Sequence, residues 1–322
     1  MYLPPLAELD AAAAIVYRAM PPTPQYCWPL LDKALGAEAW VKHENHTPLG
    51  AFKVRGGLVY MDALTRREPQ LRGVLAATRG NHGQSVAFAA RRHGLAAKIF
   101  VPFGNSIEKN AAMRSLGAEL IEYGADFQET REHAIEVSAA EGLHMVPSWH
   151  PDLVAGVASG WLELLRAQPD LDVVFVPIGQ GSGICGAIAA RQALGLKTKI
   201  IGVVSSQAPA YQLSFRAGRS IAAPVTTLIA DGLACRQPDE ASLGAILAFA
   251  DDVVAVSDDE VAQAMRLYYV ATHNLAEGAG AGALAAALQL RGSARVLGRK
   301  IGLPLTGGNV DAARFAGILQ GS

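Results

Sequence analysis

A lysine flanked by an aromatic ring and by glycines, as in Gly50-Ala51-Phe52-Lys53-Val54-Arg55-Gly56, has the parts of a covalent amine site. Phe52 offers a ring face, and Gly50 and Gly56 allow close backbone approach. A lone lysine among apolar residues more often snorkels to the surface, so Lys53 draws its interest from the rest of the chain. The run Val176-Pro177-Ile178-Gly179-Gln180-Gly181-Ser182-Gly183-Ile184-Cys185-Gly186 follows one apolar stretch and opens a helical one at Ala187. Such glycines let several N–H groups converge on one concavity, and the helix start adds its positive end, a site for a dianionic phosphate. A tight strand-to-helix turn without a ligand accounts for the same residues. The turn Thr78-Arg79-Gly80-Asn81-His82-Gly83 combines backbone donors with hydroxyl, amide and imidazole groups and suits a small carboxylate; Thr78 or Asn81 acting only as a helix cap is the alternative. Two anion-cradling turns point to a ligand that carries both phosphate and carboxylate.

Gly181-x-Gly183-x-x-Gly186 also matches the dinucleotide fingerprint, which would make the chain a nicotinamide-dependent oxidoreductase. That reading demands an acidic side chain roughly 20 residues on, at the end of the next strand. The chain has Val203-Val204-Ser205-Ser206-Gln207 there.

These turns need elements to hold them. Short β-branched runs alternate with Ala-rich helical stretches, the pattern of an α/β fold with parallel sheets. Strands are predicted at Trp40–Lys42, Gly73–Ala77, Ala97–Val101, Glu119–Glu122, Val173–Val176, Lys199–Val204 and Lys300–Leu305. Several are apolar on both faces, as strands covered by helices on each side must be. Helices are predicted at Gln84–His93, Asn110–Leu116, Thr130–Glu141, Leu162–Ala167, Glu260–Asn274 and Ala283–Leu290.

The lysine segment, the Asn81-His82 turn, the glycine loop and Thr306-Gly307-Gly308-Asn309 occur in this order across nearly the whole chain. Together they resemble the serine/threonine dehydratase branch of the fold-type II pyridoxal-phosphate enzymes, which includes threonine ammonia-lyases and serine racemases. The resemblance implies a tryptophan synthase β-like fold of two α/β units. Residues 1–44 and 146–322 would form the larger, cofactor-binding unit and 45–145 a smaller, mobile, substrate-binding one, with no C-terminal regulatory domain. It implies pyridoxal 5′-phosphate bound covalently to Lys53, with Phe52 near its ring and Asn81 at its 3′ oxygen. Gly179, Gln180, Gly181, Ser182 and Gly183 would wrap its phosphate, and Thr306 would stand opposite its pyridine nitrogen. Relatives often carry glycine where this chain has Gln180 and Ser182, but backbone donors suffice for that role. Thr78, Gly80, Asn81 and His82 would bind the substrate α-carboxylate, with Arg79 beside them and Ser148 and Trp149 near the cofactor edge. Glu277 matches a glutamate close to the pocket, and Asp231-Gly232 a segment of its floor.

The activity so implied is elimination of water from L-threonine or L-serine, giving a 2-keto acid and ammonia. Arg79 stands where serine racemases keep a serine as second base; a guanidinium stays protonated, so racemisation is not expected. Arg79 could clamp a second carboxylate, pointing to 3-hydroxyaspartate, or lie outward in an ion pair. Trp149 and His150 could line a pocket for 3-phenylserine, or pack structurally. Metal-dependent relatives hold a divalent ion through acids after the strand that here ends near Ser205; those acids are missing, so no metal is expected there.

Composition agrees with an enzyme of this kind. With 28 Lys+Arg against 29 Asp+Glu, the chain has no electrostatic footprint for nucleic acid or an anionic membrane. No apolar run reaches the roughly 20 residues of a membrane helix, and the N-terminus lacks a secretory pattern. Cys27, Cys185 and Cys235 are too scattered for a disulfide framework, which suits the cytoplasm. The expected partner is a small amino-acid substrate, and the resemblance implies a homo-oligomer, dimer or tetramer.

Overall fold

The computed structural model describes residues 3–321. Its strands are β1 (Gln25–Cys27), β2 (Glu38–His43), β3 (Gly73–Ala77), β4 (Ala96–Val101), β5 (Glu119–Glu122), β6 (His144–Met145), β7 (Val173–Pro177), β8 (Lys199–Ser205), β9 (Asp252–Val256) and β10 (Lys300–Leu305). They form a six-stranded sheet in the order β1-β2-β10-β7-β8-β9 and a four-stranded sheet in the order β5-β4-β3-β6. Every pairing is parallel except β1 with β2. Helices supply the crossovers that parallel neighbours require, and the protein is an α/β fold with helix-flanked sheets.

The strand interiors show why. β7 sends Val173 and Phe175 into one core, with Leu284 and Tyr268, and Val174 and Val176 into the opposite one, with Ile188 and Leu164. β3 and β4 divide in the same way: Val74, Ala76 and Ile99 face one core, Leu75, Ala77 and Phe100 the other. Each such fully buried Val or Phe contributes about 1.5–3 kcal/mol, and both faces must be apolar to gain it.

Strands β1, β6 and β9 were not expected. β1 and β6 are only three and two residues long and lack a fully buried position, so they carry almost no pattern to read. β9 is an edge strand that buries only Val253 and Val256. The helix predicted at Leu162–Ala167 runs from Pro151 to Ala167. Gly156 and Gly160 weaken its local propensity, but packing overrides this. A Cβ on Gly156 would lie 2.3 Å from the Arg55 carbonyl oxygen, so this glycine lets the helix meet Lys53–Arg67, a helix that periodicity did not reveal.

The motif segments now fall into place. The lysine segment follows β2, Thr306-Gly307 follows β10 and the glycine loop follows β7, and these strands are adjacent in the larger sheet. Pairing continues past the strand ends: Phe52 N–H donates to the Thr306 carbonyl at 2.9 Å, and Ala51 bridges Gly307. The Asn81-His82 turn follows β3 of the smaller sheet. All four therefore lie beyond carboxyl ends of strands, where open α/β sheets bind ligands. Among the described residues no helix is long and apolar enough to cross a membrane.

Candidate active site

Lys53 is the first residue of the helix Lys53–Arg67. Its Nζ lies 3.2 Å from Ser182 Oγ and 5.1 Å from the centre of the Phe52 ring. No carboxylate among the described residues lies within ion-pairing distance of it. Burial pushes its pKa down to about 8, because a charged amine loses its hydration there without gaining a counter-ion. This amine gives up its proton at a pH well below that of an exposed lysine and can then bond to carbon.

Ser182 opens the helix Ser182–Ala193, and Gly181 precedes it with φ +96°, a conformation that suits glycine. The N–H groups of Gly179, Gln180, Gly181, Ser182 and Gly183 find no acceptor among the described residues. From behind, the loop is tightly backed: a Cβ on Gly179 would lie 2.3 Å from the Gly232 carbonyl oxygen. Gly232 therefore backs the loop directly.

In the turn after β3, Thr78 is buried and its Oγ1 accepts the Gly80 N–H at 2.9 Å. The bond holds the turn ahead of the helix, whose start carries no side-chain cap, and it leaves the Thr78 hydroxyl proton to donate. The N–H groups of Asn81 and His82 head the helix Asn81–Arg92 and have no acceptor among the described residues. Burial, and then the charge of Lys53, push the His82 pKa down to about 3, so the ring is neutral; its Nε2 is buried without a partner. Asn81 Nδ2 donates to Glu277 Oε1 at 2.5 Å, and its Oδ1 accepts from Asn309 Nδ2 at 2.8 Å.

Glu277 also takes Lys109 Nζ at 3.2 Å, and that ammonium lies 3.9 Å from Asp231. Burial disfavours the Lys109 charge, but Glu277 and Asp231 outweigh it and raise the pKa. Sequence reasoning missed Lys109, since nothing local distinguishes it from a surface helix lysine. It also left Asn309 without a role. Arg79 is half-exposed, 4.0 Å from Asp231 Oδ1 and with no hydrogen bond among the described residues.

Trp149 packs against the core that also receives Phe52, with its Nε1 buried and unpartnered. His150 turns away to cap the helix Pro151–Ala167, its Nδ1 accepting from Asp152 N–H. Ser148 sits half-buried in the bend before Trp149. Thr306 is half-buried; its carbonyl holds Phe52, and its hydroxyl makes no bond within the described residues. Ser205, at the position where a dinucleotide enzyme needs a carboxylate, is buried and accepts from Gln207 N–H. Among the described residues no group of three or more His, Cys, Asp or Glu side chains could hold a metal ion, and all the cysteines are free thiols.

The residues fit pyridoxal phosphate: an amine without a counter-ion beside a run of unpaired N–H donors, with an unoccupied hydroxyl at Thr306. Comparison with known proteins agrees. Residues 16–307 match the family described as pyridoxal-phosphate dependent enzyme. An L-threonine ammonia-lyase of Thermotoga maritima is 34% identical over 90% of this chain and 72% of its own. An L-threo-3-hydroxyaspartate ammonia-lyase of Saccharomyces cerevisiae is 30% identical over 100% of this chain and 98% of its own. The solved structure of the processed form of threonine deaminase isoform 2 from Solanum lycopersicum superposes with a TM-score of 0.90 at 28% identity, covering 99% of this chain and 96% of that one. A lysine, two turns of unpaired N–H donors and a family match over most of the sequence thus lead to one assignment: the chain belongs to the pyridoxal-phosphate dependent enzymes.

Proposed function

We propose that the protein is a dehydratase of β-hydroxy amino acids, acting on L-threonine or L-serine. The observation that carries this is the placing of Lys53 Nζ at the head of the phosphate-loop helix. Bound pyridoxal phosphate supplies an electron sink for the bond broken at the substrate Cα. The donors from Gly179 to Gly183 hold the phosphate, and the N–H groups of Asn81 and His82 hold the substrate carboxylate. Lys53 Nζ, driven toward its neutral form by burial, accepts the Cα proton. Neutral His82 leaves the carboxylate seat without a second cation. The α-proton and β-hydroxyl depart as water, and the released enamine takes water back to give a 2-oxo acid and ammonia. Residues 45–145 form the unit that shuts over substrate, and the protein works as a cytoplasmic dimer or tetramer. A panel of β-hydroxy amino acids, read by 2-oxo acid release, tests the assignment. Threonine or serine should lead it, and a cofactor-loaded enzyme that releases no 2-oxo acid from any of them would end it.

The amine must be unprotonated to bond with the aldehyde. Uptake of pyridoxal phosphate by cofactor-free protein is therefore expected to quicken with pH and level off above about 8. Stopped-flow growth of visible absorption across roughly pH 6 to 9 checks this; a flat profile counts against Lys53 as the titrating group.

A second reading, 3-hydroxyaspartate, rests on Arg79, whose guanidinium has only a distant aspartate for company. If a β-carboxylate docks there, Arg79→Ala lowers kcat/KM for 3-hydroxyaspartate by about tenfold or more and leaves threonine within about twofold. Equal losses on both substrates remove this reading.

A further inference from the structure

The phosphate loop is held from behind by buried side chains. Tyr211, on the helix Ala210–Ala217, is fully buried. Its hydroxyl donates to the Gln180 carbonyl at 3.1 Å and accepts the Asp239 N–H at 3.1 Å. It also touches the buried Ser242 hydroxyl, which in turn donates to the Asp239 carbonyl at 3.1 Å. A Cβ on Gly181 would lie 2.6 Å from Ser242 and 3.3 Å from the Tyr211 hydroxyl, so the loop is pressed onto this pair. Gln180 adds a side-chain contact, Nε2 to the Cys235 sulfur at 3.6 Å.

The peptide bond between Gln180 and Gly181 is planar and trans, so its C=O and N–H point in opposite directions. Fixing the Gln180 carbonyl on Tyr211 therefore turns the Gly181 N–H to the opposite side, among the unpaired donors of the loop. Burial drives the phenol's ionisation far above its ordinary range, so the hydroxyl remains a donor at any working pH.

We propose that Tyr211 is a positioning residue for the phosphate loop, setting cofactor affinity through the phosphate alone by way of the Gln180 carbonyl. This rests on the glycine loop holding the phosphate of pyridoxal phosphate. The test strips the holoenzyme of cofactor and titrates wild type and Tyr211→Phe with pyridoxal phosphate and, separately, with pyridoxal, following visible absorption. Loss of this hydrogen bond is expected to raise the Kd for pyridoxal phosphate by about tenfold. Pyridoxal, which has no phosphate to misplace, should bind both proteins alike. Unchanged affinity for pyridoxal phosphate, or equal weakening for both compounds, overturns the proposal, the second outcome showing general destabilisation. If Tyr211→Phe does not fold, Ser242→Ala is measured in the same way. A phosphate-selective loss of about threefold supports the proposal, and none overturns it. Wild type that binds pyridoxal phosphate no better than pyridoxal would overturn the loop assignment itself, a result separate from failure of the variants.

Discussion

Lys53→Ala is expected to leave a folded, colourless protein with kcat/KM reduced by about a thousandfold or more, since one residue serves as both covalent tether and proton acceptor. Among the described residues no other amine is placed at the head of the phosphate-loop helix, and Ser182 Oγ beside it cannot replace it. The absence of visible absorption after addition of pyridoxal phosphate is the direct measurement, and a coloured, active variant would remove Lys53 from the chemistry. Stability moves the other way. Burial lowers the folded-state pKa of Lys53 from 10.5 to about 8, so below pH 8 the folded cofactor-free protein carries an unwelcome charge. Its stability therefore rises as pH climbs from about 8 toward 10.5, where the unfolded chain holds the proton and the folded one does not. Lys53→Ala lacks this rise and is expected to melt above the cofactor-free wild type at pH 7. Paired melts at pH 7 and near pH 10 show whether that gap closes.

Arg55→Met carries the largest expected cost to the fold. Arg55 is fully buried two residues beyond Lys53. Its guanidinium reaches Glu44 at 2.7 Å, Glu163 at 2.7 Å, Ser159 at 2.9 Å and Thr23 at 3.1 Å. Lys42 joins Glu163 at 2.6 Å, so two cations face two carboxylates and the cluster is neutral. Removing one cation strands a buried negative charge, at a cost of about 3–5 kcal/mol. Burial pushes the Glu44 pKa up, but Arg55 overrides that and holds it below its ordinary value. Without Arg55, burial prevails and the folded-state pKa rises above the unfolded one. The variant's deficit is then largest near neutrality and shrinks as acid protonates Glu44. Urea melts at about pH 7 and pH 5 measure this, and a deficit independent of pH would place the damage in packing. Because the cluster joins β2, the lysine helix and Pro151–Ala167, cofactor uptake should suffer along with stability.

The parts of this protein that local chemistry writes were legible in the sequence. Doubly apolar runs became β3 and β7 at their expected positions, because a strand buried on both faces leaves no room for polar residues. Glycine-rich turns after strands marked the unpaired N–H groups, since such groups depend on backbone shape and hardly on distant partners. Four motifs in one order sufficed for the cofactor and the enzyme family.

Tertiary structure decided which side chain serves which neighbour. Asn81 meets Glu277 across 196 positions of sequence, and Lys109 and Arg79, far apart in the chain from Asp231, gather beside it. Thr78 accepts the N–H of Gly80 within its own turn, and Arg55, within the best-marked motif, belongs to an ion cluster that no spacing announced. The physical reason is range. Backbone propensity and alternation act over a few residues and leave a periodic trace, whereas a buried charge is matched by whatever the fold brings within about 4 Å, wherever in the chain it lies.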